Sequence, residues 1–289
     1  MNAEDVSRII DEFIRTAPEN SLKNEANELA WDEALIGFSS GADPLYESYK
    51  EHVGPFHFLP SEIFNLTFPD SPVAPDELTV ISYILPQREV TKADNRAEDF
   101  YPSERWVRAR FPGEDFNILL RKHVVEALGK KGVQAVAPVL SPLWKIEISP
   151  KFGLASRWSE RHAAHASGLG TFGLCDGLIT SKGKADRVGT VIARVKIPPT
   201  PRPYQDHQEY CLFFSDGSCL ACADRCPVGA ITEEGHNKKV CWDHAGGTCA
   251  QYVKEKFGFE GYGCGLCQTG VPCESGLPVT RKGAKAREI

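Results

Sequence analysis

Residues 219–227 read CLACADRCP, which sets Cys219, Cys222 and Cys226 at C-x2-C-x3-C spacing with Pro227 directly after the last thiol. Thiols two or three residues apart can wrap one inorganic core from a single tight loop. A proline then turns the chain away, so the last thiol faces elsewhere. Downstream, Cys241 and Cys249 stand alone, and Cys264-x2-Cys267-x5-Cys273 makes a second group; upstream lies Cys211. Nine of the ten cysteines therefore fall between residues 211 and 273, with only Cys175 apart.

A disulfide framework would need an oxidising compartment. The opening residues, MNAEDVSRIIDEFIRTAPEN, carry acids where a secretory segment needs bases, and no apolar run follows. No window approaches the roughly 18 consecutive apolar residues of a membrane span. The chain reads as cytoplasmic with no membrane partner, and clustered thiols there more often bind metal than pair. Structural zinc is the plain alternative, because C-x2-C pairs also build zinc ribbons. The proline-terminated run fits better with the C-x2-C-x2-C-x3-C-P of bacterial two-cluster ferredoxins, whose last cysteine ligates the other cluster. Two 4Fe–4S clusters are therefore expected. The first position of that run falls on Asp216, which leaves three options: Cys211 loops in as the favoured ligand, Asp216 ligates through oxygen, or the cluster has three protein ligands. Crossed ligation then gives cluster one Cys211, Cys219, Cys222 and Cys273, and cluster two Cys226, Cys241, Cys264 and Cys267. Cys249 is the reserve ligand. Cys175 reads as a small buried thiol.

Outside this block the composition is that of an ordinary globular chain: 289 residues, 42% hydrophobic, 25% charged, net charge -6. Mild acidity speaks against a nucleic-acid partner, which usually meets a basic domain. Apolar residues at helical spacing predict helices over 3–16 and 114–129. Residues 78–85 predict a buried strand ended by Pro86, followed by a charged loop. Shorter strands are expected within 29–38, 133–139, 177–180 and 189–197. A helix over 155–167 should stop at Gly168, the usual left-handed cap. PPTPRP at 198–203 cannot continue a helix or a central strand, so the domain boundary is set there: 1–203, mixed α/β or α+β, and 204–289, the cluster-binding domain. The tail TRKGAKAREI reads as a frayed basic end.

Gly168–Gly173 (GLGTFG) matches G-x-G-x-x-G, but a helix precedes it and a strand follows, the reverse of a dinucleotide site. The run SERHAAHASGLGTFG, the strand after it and the cysteine block lie in the order seen in epoxyqueuosine reductases and reductive dehalogenases, and the chain resembles that group from about residue 75 to 275. VRARFPGEDFNILLRKHVVEAL (107–128) also resembles the epoxyqueuosine reductase segment R-Y-A-x-G-R-D-Y-H, with Asp115 at its aspartate. The resemblance implies an α+β fold. Its first part would be an α/β nitroreductase-like, cobalamin-binding domain and its second a two-cluster ferredoxin-like domain. It further implies a base-off cobalamin between the two that takes electrons from the clusters. An external low-potential electron donor and a small-molecule substrate would be the partners. Arg108, Asp115, Glu160, Gly168, Gly170, Leu178 and Asp243 are the candidate cobalamin contacts, and each also has a plain structural reading. His162 and His165 share a helix with Glu160 but show no third metal ligand.

Two departures from the group stand out. The proton-donating aspartate of epoxyqueuosine reductases falls at Leu154, which cannot donate. The chain also ends soon after the cysteine block, without the helical extension those enzymes use with transfer RNA. Tyr83, Tyr101, Tyr204 and Tyr210 are available as the tyrosine donor that reductive dehalogenases use. An electron carrier serving a partner enzyme, and a flavin in place of the corrinoid, are the rival readings.

Overall fold

A computed structural model describes residues 1–279; the tail discussed above lies outside them. Along the chain come helix α1 (Ala3–Thr16), strand β1 (Leu35–Ser40), helices α2 (Leu45–Val53) and α3 (Pro60–Thr67), and strand β2 (Thr79–Pro86). Helices α4 (Glu89–Ala97), α5 (Glu104–Arg110) and α6 (Pro112–Lys130) follow, then β3 (Ala135–Val136). A hairpin of β4 (Ile146–Ser149) and β5 (Gly153–Ser156) precedes helix α7 (Glu160–Ala166). A second hairpin of β6 (Gly170–Phe172) and β7 (Leu178–Thr180) leads into β8 (Asp186–Ala193).

The central sheet runs β1-β2-β8-β3, and every pairing in it is antiparallel, with Phe38 opposite Ile81 and Ile81 opposite Val191. The fold is thus mixed helix and sheet of the α+β kind; the parallel sheet that an α/β first domain implies is not formed among the described residues. Strand β2 is buried along its whole length, because both faces are covered. Ile81, Tyr83 and Val191 pack against Val6 and Ile10 of α1 and Phe116, Leu120 and Val124 of α6. The alternate residues Val80 and Ile192 meet Tyr46, Ile63, Phe64 and Trp158 on the other side. That two-sided cover explains why an antiparallel strand reads as one continuous apolar run. Each fully buried large side chain here contributes roughly 1.5–3 kcal/mol.

The helices over 3–16 and 114–129 form where periodicity places them. Asn2 caps α1 by accepting the Asp5 N–H at 3.0 Å, and Asp5 returns a bond to Asn2. The charged stretch after Pro86 is helix α4, not a loop: Thr91, Lys92 and Asn95 point inward, and Asn95 bonds Ser103 and Thr269. The expected helix over 155–167 begins only at Glu160, capped by Ser159, because residues 153–156 are taken by the β4–β5 hairpin. The strand over 133–139 shrinks to two residues where Pro138 opens a 3-10 turn. Nor is PPTPRP a free linker. Thr200 exchanges bonds with Phe38 at 2.9 Å on the edge of β1, Arg202 pairs with Asp43 at 2.5 Å, and the Tyr204 hydroxyl donates to the His165 carbonyl at 2.5 Å. Among the described residues no helix is long and apolar enough to cross a membrane.

Candidate functional site

Past residue 204 regular structure thins to short pieces: helices α8 (Leu212–Asp216), α9 (Ala221–Asp224), α10 (Lys238–Trp242) and α11 (Cys249–Phe257), joined by turns. Sulfur fills the space that apolar side chains fill elsewhere. Cys211, Cys219, Cys222 and Cys273 line one pocket together with Leu174, Phe213 and Lys184. Cys211, just before α8, is buried and faces the pocket. Asp216, five residues on, is exposed and accepts the Ser218 N–H at 3.0 Å. Of the options for a fourth ligand, the fold places the Cys211 thiol beside the other three. Cys226 accepts the Ala230 N–H on its sulfur at 3.1 Å.

In the second group Cys249 and Cys264 lie together. Cys249, at the start of α11, is fully buried; its Sγ is a side-chain partner of Cys264 and lies 3.3 Å from His244 Nε2. Cys241 is part-exposed and turns to His236, whose imidazole is 3.0 Å from Asp176. Bonding to Asp176 and Cys241 pushes the His236 pKa up to about 10 against the cost of burial. Cys267, on the 3-10 turn Leu266–Gln268, faces Cys175, and Cys264 is near it. Among the described residues no group of three or more His, Cys, Asp or Glu side chains is disposed to hold a single metal ion. Cys211, Cys219, Cys222 and Cys273 offer on one pocket the four thiolates that either a tetrahedral zinc or a 4Fe–4S cluster would take.

Cys175 was legible only as a buried thiol. In the fold it follows the β6 strand and lies between the two groups, with Cys222 and Cys267 as side-chain partners. Lys184, which sequence reading passed over, reaches the same spot: it is 3% exposed and its Nζ donates to Cys175 Sγ at 3.3 Å. Burial works against its charge, yet negative charge on the Cys175 sulfur holds the Lys184 pKa above its ordinary value. Only its spacing after a glycine-rich turn could have hinted at this.

Of the seven candidate cobalamin contacts, Gly170 and Leu178 lie together on the β6–β7 hairpin. Glu160 is bound bidentately by the buried Arg121, at 2.9 and 2.7 Å, and accepts the Thr190 N–H at 3.0 Å. Arg108 is tied to Glu104 and the Lys23 carbonyl and stacks over Phe259. Asp115 is exposed on the first turn of α6, and Asp243 is exposed and paired with Lys239 at 2.6 Å. Leu178 packs against Ile84, Ala164 and Val188. Gly168 has φ +78°, and a Cβ there would fall 2.6 Å from the Pro201 carbonyl; one on Gly170 would fall 2.3 Å from the Ile179 carbonyl. The glycine turn thus serves chain packing. Leu154, at the donor position of the resemblance, stands half-exposed on β5. Tyr83 donates to Asn117 in the core, Tyr204 donates to a carbonyl, Tyr101 stacks on Tyr252, and Tyr210 packs against the thiol cluster.

The fold so described is similar to that of a reductive dehalogenase structure described with a mechanism for B12-dependent dehalogenation, with TM-score 0.50 at 15% identity, over 88% of this chain and 31% of that one. An epoxyqueuosine reductase of Bacillus anthracis is 28% identical over 170 residues, 57% of this chain and 40% of the relative. One of Lactococcus garvieae is 26% identical over 276 residues, 89% of this chain and 71% of the relative. The chain thus resembles both groups, as its motifs imply, while the match spans about two fifths of the Bacillus relative's length. A solved epoxyqueuosine reductase with a tRNA-Tyr stem loop has TM-score 0.45 at 19% identity, over 95% of this chain and 68% of that one. The expectation that a nucleic-acid partner is unlikely finds no support in these comparisons. No protein-family profile matches the chain.

Proposed function

We propose that this chain is an iron–sulfur reductase related to epoxyqueuosine reductases and reductive dehalogenases, with a first domain over 1–203 and a ferredoxin-like second domain over 204–289. The observation that carries this reading is the single pocket lined by Cys211, Cys219, Cys222 and Cys273. These four would hold one 4Fe–4S cluster. Cys226, Cys264, Cys267 and the buried Cys249 would hold the other, with Cys249 taking the place that sequence spacing gives to Cys241. Bound clusters supply one-electron chemistry at low potential. The chain's own contribution is to bury the thiols, to give the Cys226 sulfur an N–H donor, and to set the fixed charge of Lys184 beside them.

A corrinoid is proposed as the second cofactor on likeness alone. Among the residues read from the sequence as its contacts, Arg108, Glu160 and Asp243 are engaged in ion pairs. That same observation favours a second reading, an electron carrier that serves a partner enzyme. The substrate is a small molecule or a modified nucleoside in RNA, the two kinds of substrate the relatives' names imply. Protein prepared without oxygen tests both readings. Iron and acid-labile sulfide at eight each per chain, with stoichiometric corrinoid in the base-off form, support the reductase. Clusters without corrinoid affinity support the carrier. Colourless protein carrying zinc rules out both.

A further inference from the structure

The buried cation between the two thiol groups has no acid to neutralise it. Lys184 forms no ion pair with a carboxylate among the described residues, and Glu274, close in space through its backbone, is engaged by Arg96 and by the Gly270 N–H. Its position is fixed at both ends. The Lys184 N–H donates to the Cys273 carbonyl at 3.0 Å, and Gly183 lets the chains meet, since a Cβ there would fall 2.0 Å from the Glu274 carbonyl. At the far end Nζ donates to Cys175 Sγ at 3.3 Å, Lys184 lines the same pocket as Cys222 and Cys273, and Cys267 is a side-chain partner of Cys175. Cys222 and Cys273 belong to the first proposed cluster and Cys267 to the second. A buried ammonium without a counter-charge costs several kcal/mol, so this position makes physical sense only beside groups that carry negative charge on sulfur.

We propose that Lys184, held by Cys175, is the electrostatic bridge between the two clusters, and that its fixed positive charge stabilises the one-electron-reduced form of the clusters beside it. This rests on the iron–sulfur reading above. Each reduction adds one electron from an external low-potential donor such as dithionite; no bond forms or breaks, and the product gains one negative charge that Lys184 faces across a dry interior of low dielectric. Cys175 then has a positioning role: it gives Nζ a partner without ligating iron.

The test is a potentiometric titration of the anaerobic full-length protein followed by electron paramagnetic resonance. Lys184→Met should retain its iron and lower the reduction equilibrium of at least one cluster tenfold or more, which is 59 mV for a one-electron couple. Lys184→Arg, which keeps the charge, should stay within threefold of wild type. Full iron with unchanged potentials in Lys184→Met overturns the proposal. A measurement on the wild type guards against a variant that loses its clusters: protein grown with 15N-lysine should show a weak 15N hyperfine coupling in the reduced state. Its absence overturns the proposal whichever variants fold. Failure of the underlying reading is distinguishable, because protein without iron and acid-labile sulfide would give no reduced signal to titrate.

Discussion

The two ends of the molecule are held together by different physics. Around β2, large apolar side chains from α1, α6, α2 and α3 close on a four-stranded sheet, and the one deeply buried cation on that side, Arg121, has two carboxylates to meet it. Around the thiols the buried core is small, and Cys175, Cys211, Cys222 and Cys273 make up half of its fully buried members. The buried cation there, Lys184, has only sulfur. The first region has two large apolar clusters to fold on. The second has one small cluster, so a metal bound by its thiols would add to its stability.

The largest expected effect follows directly. Iron removal by an anaerobic chelator should abolish amide-exchange protection after residue 211 while β2 and β8 keep theirs. Equal loss in both regions would show that the sheet depends on the metal too, and the contrast would fail. Single ligands sharpen the picture within the thiol region. Cys222→Ala and Cys249→Ala should each lose about half of the iron, while Cys241→Ala keeps nearly all of it; iron loss in Cys241→Ala with retention in Cys249→Ala would return the second cluster to the ligand set read from spacing.

On the sheet side, Glu160→Ala leaves Arg121 buried with only the part-exposed Glu114, and should destabilise the fold by about 3 kcal/mol. Denaturant unfolding would measure this, and iron content should not change. A loss under 1 kcal/mol would mean that Arg121 finds solvent or another partner.

The smallest effect concerns pH and separates the regions by sign. Burial pushes the Asp186 carboxyl, at the edge of the thiol region, up to about 8 from 3.8. Between those values the folded chain holds a proton that the unfolded chain has released, so this group makes stability fall as pH rises. Under the sheet, burial lowers His57 and His165 to about 4 from 6.5. There the unfolded chain binds the extra protons, and stability falls as pH drops through that window. Asp186→Asn should therefore make stability rise more steeply, or fall less, with increasing pH between about 4 and 8 in a urea-midpoint profile. An unchanged slope between those values would place the pH dependence in other groups.

How far the sequence could be read follows the same division. Long-range periodicity located α1, α6 and β2, since each repeats one pattern over several turns or residues. The helix α4 escaped because its buried face is polar: Thr91, Lys92 and Asn95, the last two with partners Ser275 and Thr269 far away in sequence. Cys219, Cys222 and Cys226 were legible as a group because they are close in sequence. Cys249, held in reserve by the spacing, meets Cys264 only through the fold.

By itself the sequence determined which residue types are present and how they are spaced: a thiol block with a proline stop, an apolar central strand, and a glycine turn in the wrong order for a nucleotide. Only the tertiary structure decided which sulfurs share a pocket and which cation stands between them. Spacing limits what neighbours along a loop can reach, whereas charge and sulfur separated by tens of residues are brought together by burial, which local pattern does not encode.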